Sequence, residues 1–181
     1  MKLSDIVFED EAFKACVLAS KALDSKDLVE LICRKQKIES IAGIEHLTDL
    51  KRLDLTKNKL TEANLSHNSK LEEVCLGNNR IEKLDVSTCK ELTHLEVFMN
   101  DLEALDLSYN PKLENIYANQ NEFEELDVSK NAELEDLRVD SNNLTTINIS
   151  ANTKLSRLDI GNNPLTSQLD LPPKSNLKLN Q

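Results

Sequence analysis

Leu95-Glu96-Val97-Phe98-Met99-Asn100-Asp101-Leu102 decides the fold. Twenty-one residues on, the same pattern returns as Ile116-Tyr117-Ala118…Asn121…Phe123. It runs back through Val74-Cys75-Leu76…Asn79…Ile81 to Leu53-Asp54-Leu55…Asn58…Leu60. It runs forward through Leu137-Arg138-Val139…Asn142…Leu144 to Leu158-Asp159-Ile160…Asn163…Leu165, always at a step of 21. A repeat this short is one supersecondary unit that cannot bury its own apolar edge, so neighbouring units must stack.

A second pattern is nested inside the first. Leu84-Asp85-Val86-Ser87, Leu105-Asp106-Leu107-Ser108, Leu126-Asp127-Val128-Ser129 and Ile147-Asn148-Ile149-Ser150 keep the same period. Asn110, Asn131 and Asn152 follow three of them, with Cys89 at the matching place in its coil. An earlier coil, Leu31-Ile32-Cys33…Gln36…Ile38, precedes the series at a 22-residue step.

Alternation in Leu-x-Leu points two side chains inward and one outward, as a strand requires. Where the chain then turns, its backbone groups face the interior. An asparagine amide can both donate to them and accept from them, and an unpaired buried polar group would cost about 1–3 kcal/mol. Asn58, Asn79, Asn100, Asn121, Asn142 and Asn163 are therefore expected to form a structural ladder. Cys89 and Cys33 read as small buried fillers.

The unit LxxLxLxxNxLxxLDLxxNxx resembles the nested 21-residue class of bacterial leucine-rich repeats. Ile38 to Leu60 is similar to the 22-residue type of internalins and phosphatase-regulatory leucine-rich proteins. The resemblance implies an α/β solenoid: a right-handed superhelix with short parallel β-strands on its concave face and extended and turn segments on its convex side. A helical cap over 1–27, repeats over 28–171 and a tail or minimal cap over 172–181 would make one domain. The helix is expected over residues 10–23, with Asp10 as N-cap and Phe13, Cys16, Val17 and Leu23 near one face. At the other end the register slips between Leu165 and Leu171, Pro172-Pro173 stops regular structure, and Leu177-Lys178-Leu179 is expected to add a last strand.

Composition narrows the function. The net charge is −10, which opposes nucleic acid and anionic membranes and suits a protein with a basic surface. No apolar run has the length of a secretory signal or a membrane span. The four cysteines, Cys16, Cys33, Cys75 and Cys89, show no CxxC spacing, and His46, His67 and His94 are not in ligand spacing, so neither metal nor cofactor is expected. Free thiols point to a reducing compartment, hence the cytoplasm, or export without a cleavable N-terminal signal. With three glycines and no P-loop, GxGxxG, HExxH or GxSxG, no enzymatic activity is expected. Asp85, Asp106 and Asp127, flanked by Asn64 and Asn148, stack at coil spacing. They are expected to bond turn backbone or the adjacent serine in preference to Ca²⁺.

Protein binding through the strand face is thus the leading reading, as in a bacterial effector or adaptor, by a monomer. A regulatory subunit docking on an enzyme such as a phosphatase, and a structural or self-associating module, are the alternatives. Structural demands are weakest on outward strand positions, and two of the six aromatic residues fall there, Phe98 and Tyr117. Aromatics and arginine are common interface anchors. The expected contact patch is His94, Glu96, Phe98, Asn115, Tyr117, Asn119, Asp136, Arg138 and Asp140. Cys75 is expected to be an inert outward thiol, its pKa raised by Glu72 and Glu73.

One coil carries a small Ala118 where its neighbours have Leu, Val or Ile, and a large Phe123 where they have Leu or Ile. The pair conserves core volume. Ala118→Leu is expected to destabilise by about 1–3 kcal/mol, and a second change, Phe123→Leu, to recover most of the loss. A thermal melt of Ala118→Leu matching wild type would dispose of this pairing.

Overall fold

A computed structural model describes residues 1–166 and 178–180. Ten three-residue strands lie among them: β1 Glu30–Ile32, β2 Arg52–Asp54, β3 Glu62–Asn64, β4 Glu73–Cys75, β5 Lys83–Asp85, β6 His94–Glu96, β7 Asn115–Tyr117, β8 Asp136–Arg138, β9 Arg157–Asp159 and β10 Lys178–Asn180. Eight form one parallel sheet in the order β1-β2-β4-β6-β7-β8-β9-β10, and β3 pairs with β5 in a second. The register puts Leu31 beside Leu53, Leu53 beside Val74, and Val74 beside Leu95. Leu95, Ile116, Leu137, Leu158 and Leu179 continue the row. The last strand is thus centred on Leu179, 21 residues after Leu158, and includes Asn180; Leu177 lies outside the described residues. The expected slip toward Leu171 and the stop at Pro172-Pro173 lie outside the described residues. The core behind the sheet is aliphatic, with Leu53, Val74, Leu95, Ile116, Leu137 and Leu158 fully buried, and Ala118 and Phe123 buried together.

The asparagine ladder joins each coil to the one before it. Asn100 Nδ2 donates to the carbonyls of Leu76, in the preceding coil, and Val97, in its own, at 3.1 and 3.0 Å. Its Oδ1 accepts from the amide of Ile81 at 2.9 Å. Asn79, Asn121, Asn142 and Asn163 repeat this arrangement one coil apart. Asn58 does the same toward the 22-residue coil, accepting from Gln36 and Ile38 and donating to Cys33 and Leu55. The residue before each ladder asparagine has positive φ: Lys57, Asn78, Met99, Gln120, Ser141 and Asn162, between 54° and 61°. A left-handed residue with a Cβ costs about 1–2 kcal/mol, and the asparagine bonds formed by that turn offset the cost.

The nested column makes a second ladder. Asn110 Nδ2 donates to the carbonyls of Val86 and Cys89, both at 2.9 Å. Asn68, Asn131 and Asn152 repeat the pattern. Cys89 occupies the remaining rung and is buried. By the same geometry its carbonyls are those of Leu65 and Asn68. Two weaker donors reach them: the Thr88 hydroxyl at 3.4 Å and the Cys89 thiol at 3.7 Å.

The nested acidic column is an Asx-turn series. Asp85, Asp106 and Asp127 accept from the amides of Ser87, Ser108 and Ser129 at 2.8–2.9 Å, as Asn64 and Asn148 do from Ser66 and Ser150. These backbone and hydroxyl donors hold all three aspartates below the usual carboxylate range. A further column alternates in sign: Asp49, Lys70, Glu91, Lys112, Glu133, Lys154. Lys70 pairs with Asp49, Lys112 with Glu91 and Lys154 with Glu133. Exposed pairs of this kind contribute about 0–1 kcal/mol each, so they reinforce register more than stability.

The cap is shorter than the sequence pattern suggests. Helix α1 spans Glu11–Leu18. Leu23 is exposed instead of lying on its buried face. The following segment pairs with the N-terminus: Leu3 N donates to Leu23 O at 3.0 Å and Ser25 N to Met1 O at 2.8 Å. That backbone pairing ends the helix. Asp10 caps α1 through the Phe13 amide at 2.8 Å and also accepts from Glu39 N, in the first coil, at 2.7 Å. Burial alone would raise the Asp10 carboxyl, but these amides with those of Ser40 and Ala12 hold it low. Phe8 meets Phe13 edge-on with centroids 5.6 Å apart. It also covers Gly43, whose φ of 103° and lack of Cβ admit the ring.

Cys16 and Cys33 are not free thiols. A disulfide joins them, with Cα atoms 5.9 Å apart, and ties α1 to the first coil. The α1 face that carries Cys16 meets the end of β1, a juxtaposition outside the 21-residue period. Closing the 17-residue separation removes unfolded-state entropy equivalent to about 3 kcal/mol.

The substituted rung of the second ladder gives a direct test. Cys89→Asn places an amide against both carbonyls at once and is expected to raise stability by about 1 kcal/mol, the net worth of one hydrogen bond. Chemical denaturation measures it. An unchanged or lowered midpoint would show that Thr88 and Cys89 already satisfy those groups.

Candidate binding face on the parallel sheet

Outward side chains from adjacent strands stand in columns set by the register. His94 on β6 neighbours Asn115 on β7, which neighbours Asp136 on β8. Alongside run Glu96, Tyr117 and Arg138, one per strand. Adjacent strands are about 4.8 Å apart, so these side chains must contact one another.

Tyr117 is the centre of the contacts. The His94 ring meets it edge-on, centroids 5.2 Å apart and planes at 87°. The Arg138 guanidinium lies over its face, 4.0 Å from the centroid. Asp136 holds both partners: its Oδ2 accepts from Arg138 Nη2 at 2.8 Å and from the Tyr117 hydroxyl at 3.3 Å. His94 Nε2 lies 2.9 Å from Glu96 Oε1. Burial, followed by the Asp136 charge, raises the Tyr117 phenol, which stays protonated at neutral pH. The hydrogen bond that Arg138 donates to Asp136 raises the Arg138 guanidinium. Asn115, Asn119 and Asp140 are half-buried beside this group. Burial, followed by the charge of Asp159, raises the Asp140 carboxyl.

Phe98 stands apart from this group. Its ring lies against Gly77 of the preceding coil, where a Cβ would come within 2.4 Å of ring carbon Cε1. Gly77 is glycine to admit that ring, and no positive φ is involved. Of the nine expected patch residues, His94, Glu96, Tyr117, Asp136 and Arg138 form one connected group. Phe98 packs against the sheet, and Asn115, Asn119 and Asp140 flank it.

Two outward residues are buried, against expectation. Asp54 has no exposed surface and pairs with Arg34 of the first coil. Burial would raise its carboxyl, but bonds from Arg34 and Thr56 hold it low. Cys75 is only 5% exposed. Burial, then the charges of Glu96, Asp54 and Glu73, push its thiol up to about 12, so it carries no thiolate at neutral pH. The thiol belongs to a further cluster that sequence motifs did not reveal: the ligand atoms of Cys75, His94 and Glu96 all lie within 4.8 Å of one another. No short motif could show it, since 19 and 21 residues separate the members. The repeat period could have, because one 21-residue step carries position 75 to position 96.

The contact of Phe98 with Gly77 makes a paired prediction. Gly77→Ala is expected to destabilise by about 1–3 kcal/mol through overpacking. Adding Phe98→Ala to it removes the clash, so the double variant loses less than the two single changes summed. A double-mutant cycle by thermal melting measures the coupling, and strict additivity would mean that the ring lies elsewhere.

No family model matches the sequence, and no curated protein matches it. Solved structures do. The functional domain of InlJ from Listeria monocytogenes, which includes a cysteine ladder, aligns with a TM-score of 0.58 and 25% identity over 93% of this chain and 53% of that one. A leucine-rich-repeat protein of Leptospira interrogans aligns with a TM-score of 0.69 and 24% identity over 93% of this chain and 45% of that one. The chain therefore spans about half the length of each. In this chain the first ladder column is asparagine from Asn58 to Asn163, with Gln36 at the matching place in the first coil, and the second contains one cysteine, Cys89. With its stacked parallel strands and 21-residue period, the protein has the fold of a leucine-rich-repeat solenoid and is similar in structure to these two bacterial proteins.

Proposed function

We propose that this solenoid recognises a protein partner through the outward face of the β6–β8 strands, with Tyr117 and Arg138 as anchors. The fold itself suggests a protein-interaction module. The observation that carries the finer reading is the pre-formed group around Tyr117: its ring is held by His94 and Arg138, and Asp136 fixes both the hydroxyl and the guanidinium. Side chains already immobilised lose little entropy on binding, and Tyr and Arg dominate measured interface energies. Glu96, Asp136 and Asp140 around the ring, with a net charge of −10, favour a partner with a basic surface. An oxidising compartment suits the Cys16–Cys33 bond better than the cytosol does, so export is the favoured localisation.

Capture experiments with wild type and with Tyr117→Ala and Arg138→Ala test the site. For an identified partner, each variant is expected to weaken affinity by about 2 kcal/mol or more, roughly 30-fold, with circular dichroism and melting close to wild type. Undiminished affinity in both folded variants would move the site off this face.

A further inference from the structure

The Cys75, His94 and Glu96 cluster stands out because its three side chains are of three different ligand types. They come from two adjacent strands: Cys75 on β4 is directly opposite Glu96 on β6, and His94 is two residues before Glu96 on the same face. Sulfur, imidazole nitrogen and carboxylate oxygen all lie within 4.8 Å of one another. Thiolate, imidazole and carboxylate are the donor set of borderline divalent cations, of which zinc is the type, bound at about 2.3, 2.0 and 2.1 Å, and an entering ion would displace the Cys75 proton to solvent through the open side of the site. Tetrahedral bonds of those lengths separate nitrogen from oxygen by about 3.3 Å. His94 Nε2 and Glu96 Oε1 are 2.9 Å apart, so an entering ion needs them to part by only a few tenths of an ångström.

The surroundings favour such an ion. Cys75 is nearly buried, while the side chains of His94 and Glu96 keep 21% and 25% of their surface exposed. The site therefore has a closed floor and an open mouth. The Tyr117 ring supports His94 from the side. Nearby carboxylates are otherwise engaged, Glu73 with Arg52 and Asp54 with Arg34, whereas Glu96 is paired with His94. Three protein ligands leave a fourth tetrahedral position toward solvent, the arrangement of an open rather than a closed zinc site.

We propose that Cys75, His94 and Glu96 form a three-ligand site for a zinc-type divalent cation on the strand face. This does not rest on the protein-docking reading, because the isolated chain is expected to bind the ion. The experiment titrates the full chain with Co²⁺, then displaces it with Zn²⁺. One Co²⁺ per chain is expected, with a near-ultraviolet sulfur-to-cobalt charge-transfer band that Zn²⁺ abolishes. Cys75→Ser is expected to lose the band. His94→Gln and Glu96→Gln are each expected to weaken Zn²⁺ binding by at least the ~10–100-fold that even outer-shell partners of a metal are worth. His94→Gln also serves if Cys75→Ser fails to fold. A wild-type complex without the sulfur band, a band surviving in Cys75→Ser, or unchanged affinity in folded His94→Gln would each overturn the site.

Discussion

One side-chain amide, repeated every 21 residues, holds the coils in place. The turn after each strand leaves backbone amides and carbonyls pointing inward, where water cannot reach them. The ladder asparagine answers two carbonyls and an amide at once, and one of those carbonyls belongs to the preceding coil. Hydrophobic stacking brings the coils together, but burial has no direction. The asparagine bonds supply direction, and the left-handed residue before each asparagine is the conformational cost of aiming it. The nested column does the same on the other edge, with Thr88 and Cys89 sharing the task where the amide is missing.

Because core and ladders account for stability, the outward strand positions are released from structural duty. What stands there is decided by neighbours one strand away. At that spacing a charged residue must find a partner or be covered. Asp54 is covered by Arg34, Asp136 is held against Arg138 and Tyr117, and Cys75 lies beneath Glu96 and His94. The face is thus already organised before any partner arrives. An outward-pointing residue is not automatically an exposed one.

The N-terminal cap solves the end problem of a stacked fold. The first coil has no predecessor to cover its apolar side, and Phe8, Phe13 and Val17 do so instead. Asp10 serves twice, ending the helix backbone on one side and accepting from Glu39 of the first coil on the other. The disulfide fastens the same junction covalently.

The sequence by itself determined the coil count, the strand register, both ladders and the Asx turns of the acidic column. In a solenoid, position modulo 21 is position in space, so a column in the alignment is a column in the molecule. It also named Tyr117 and Arg138 as outward neighbours. Tertiary structure alone decided whatever breaks or crosses the period. The helix ends at Leu18 because backbone from Leu23 to Ser25 bonds to the N-terminus. Cys16 meets Cys33 because α1 docks on the first coil, outside any repeat. Phe98 folds onto Gly77, and Cys75 sinks among His94 and Glu96, because side-chain packing between coils depends on volumes and rotamers that spacing does not encode.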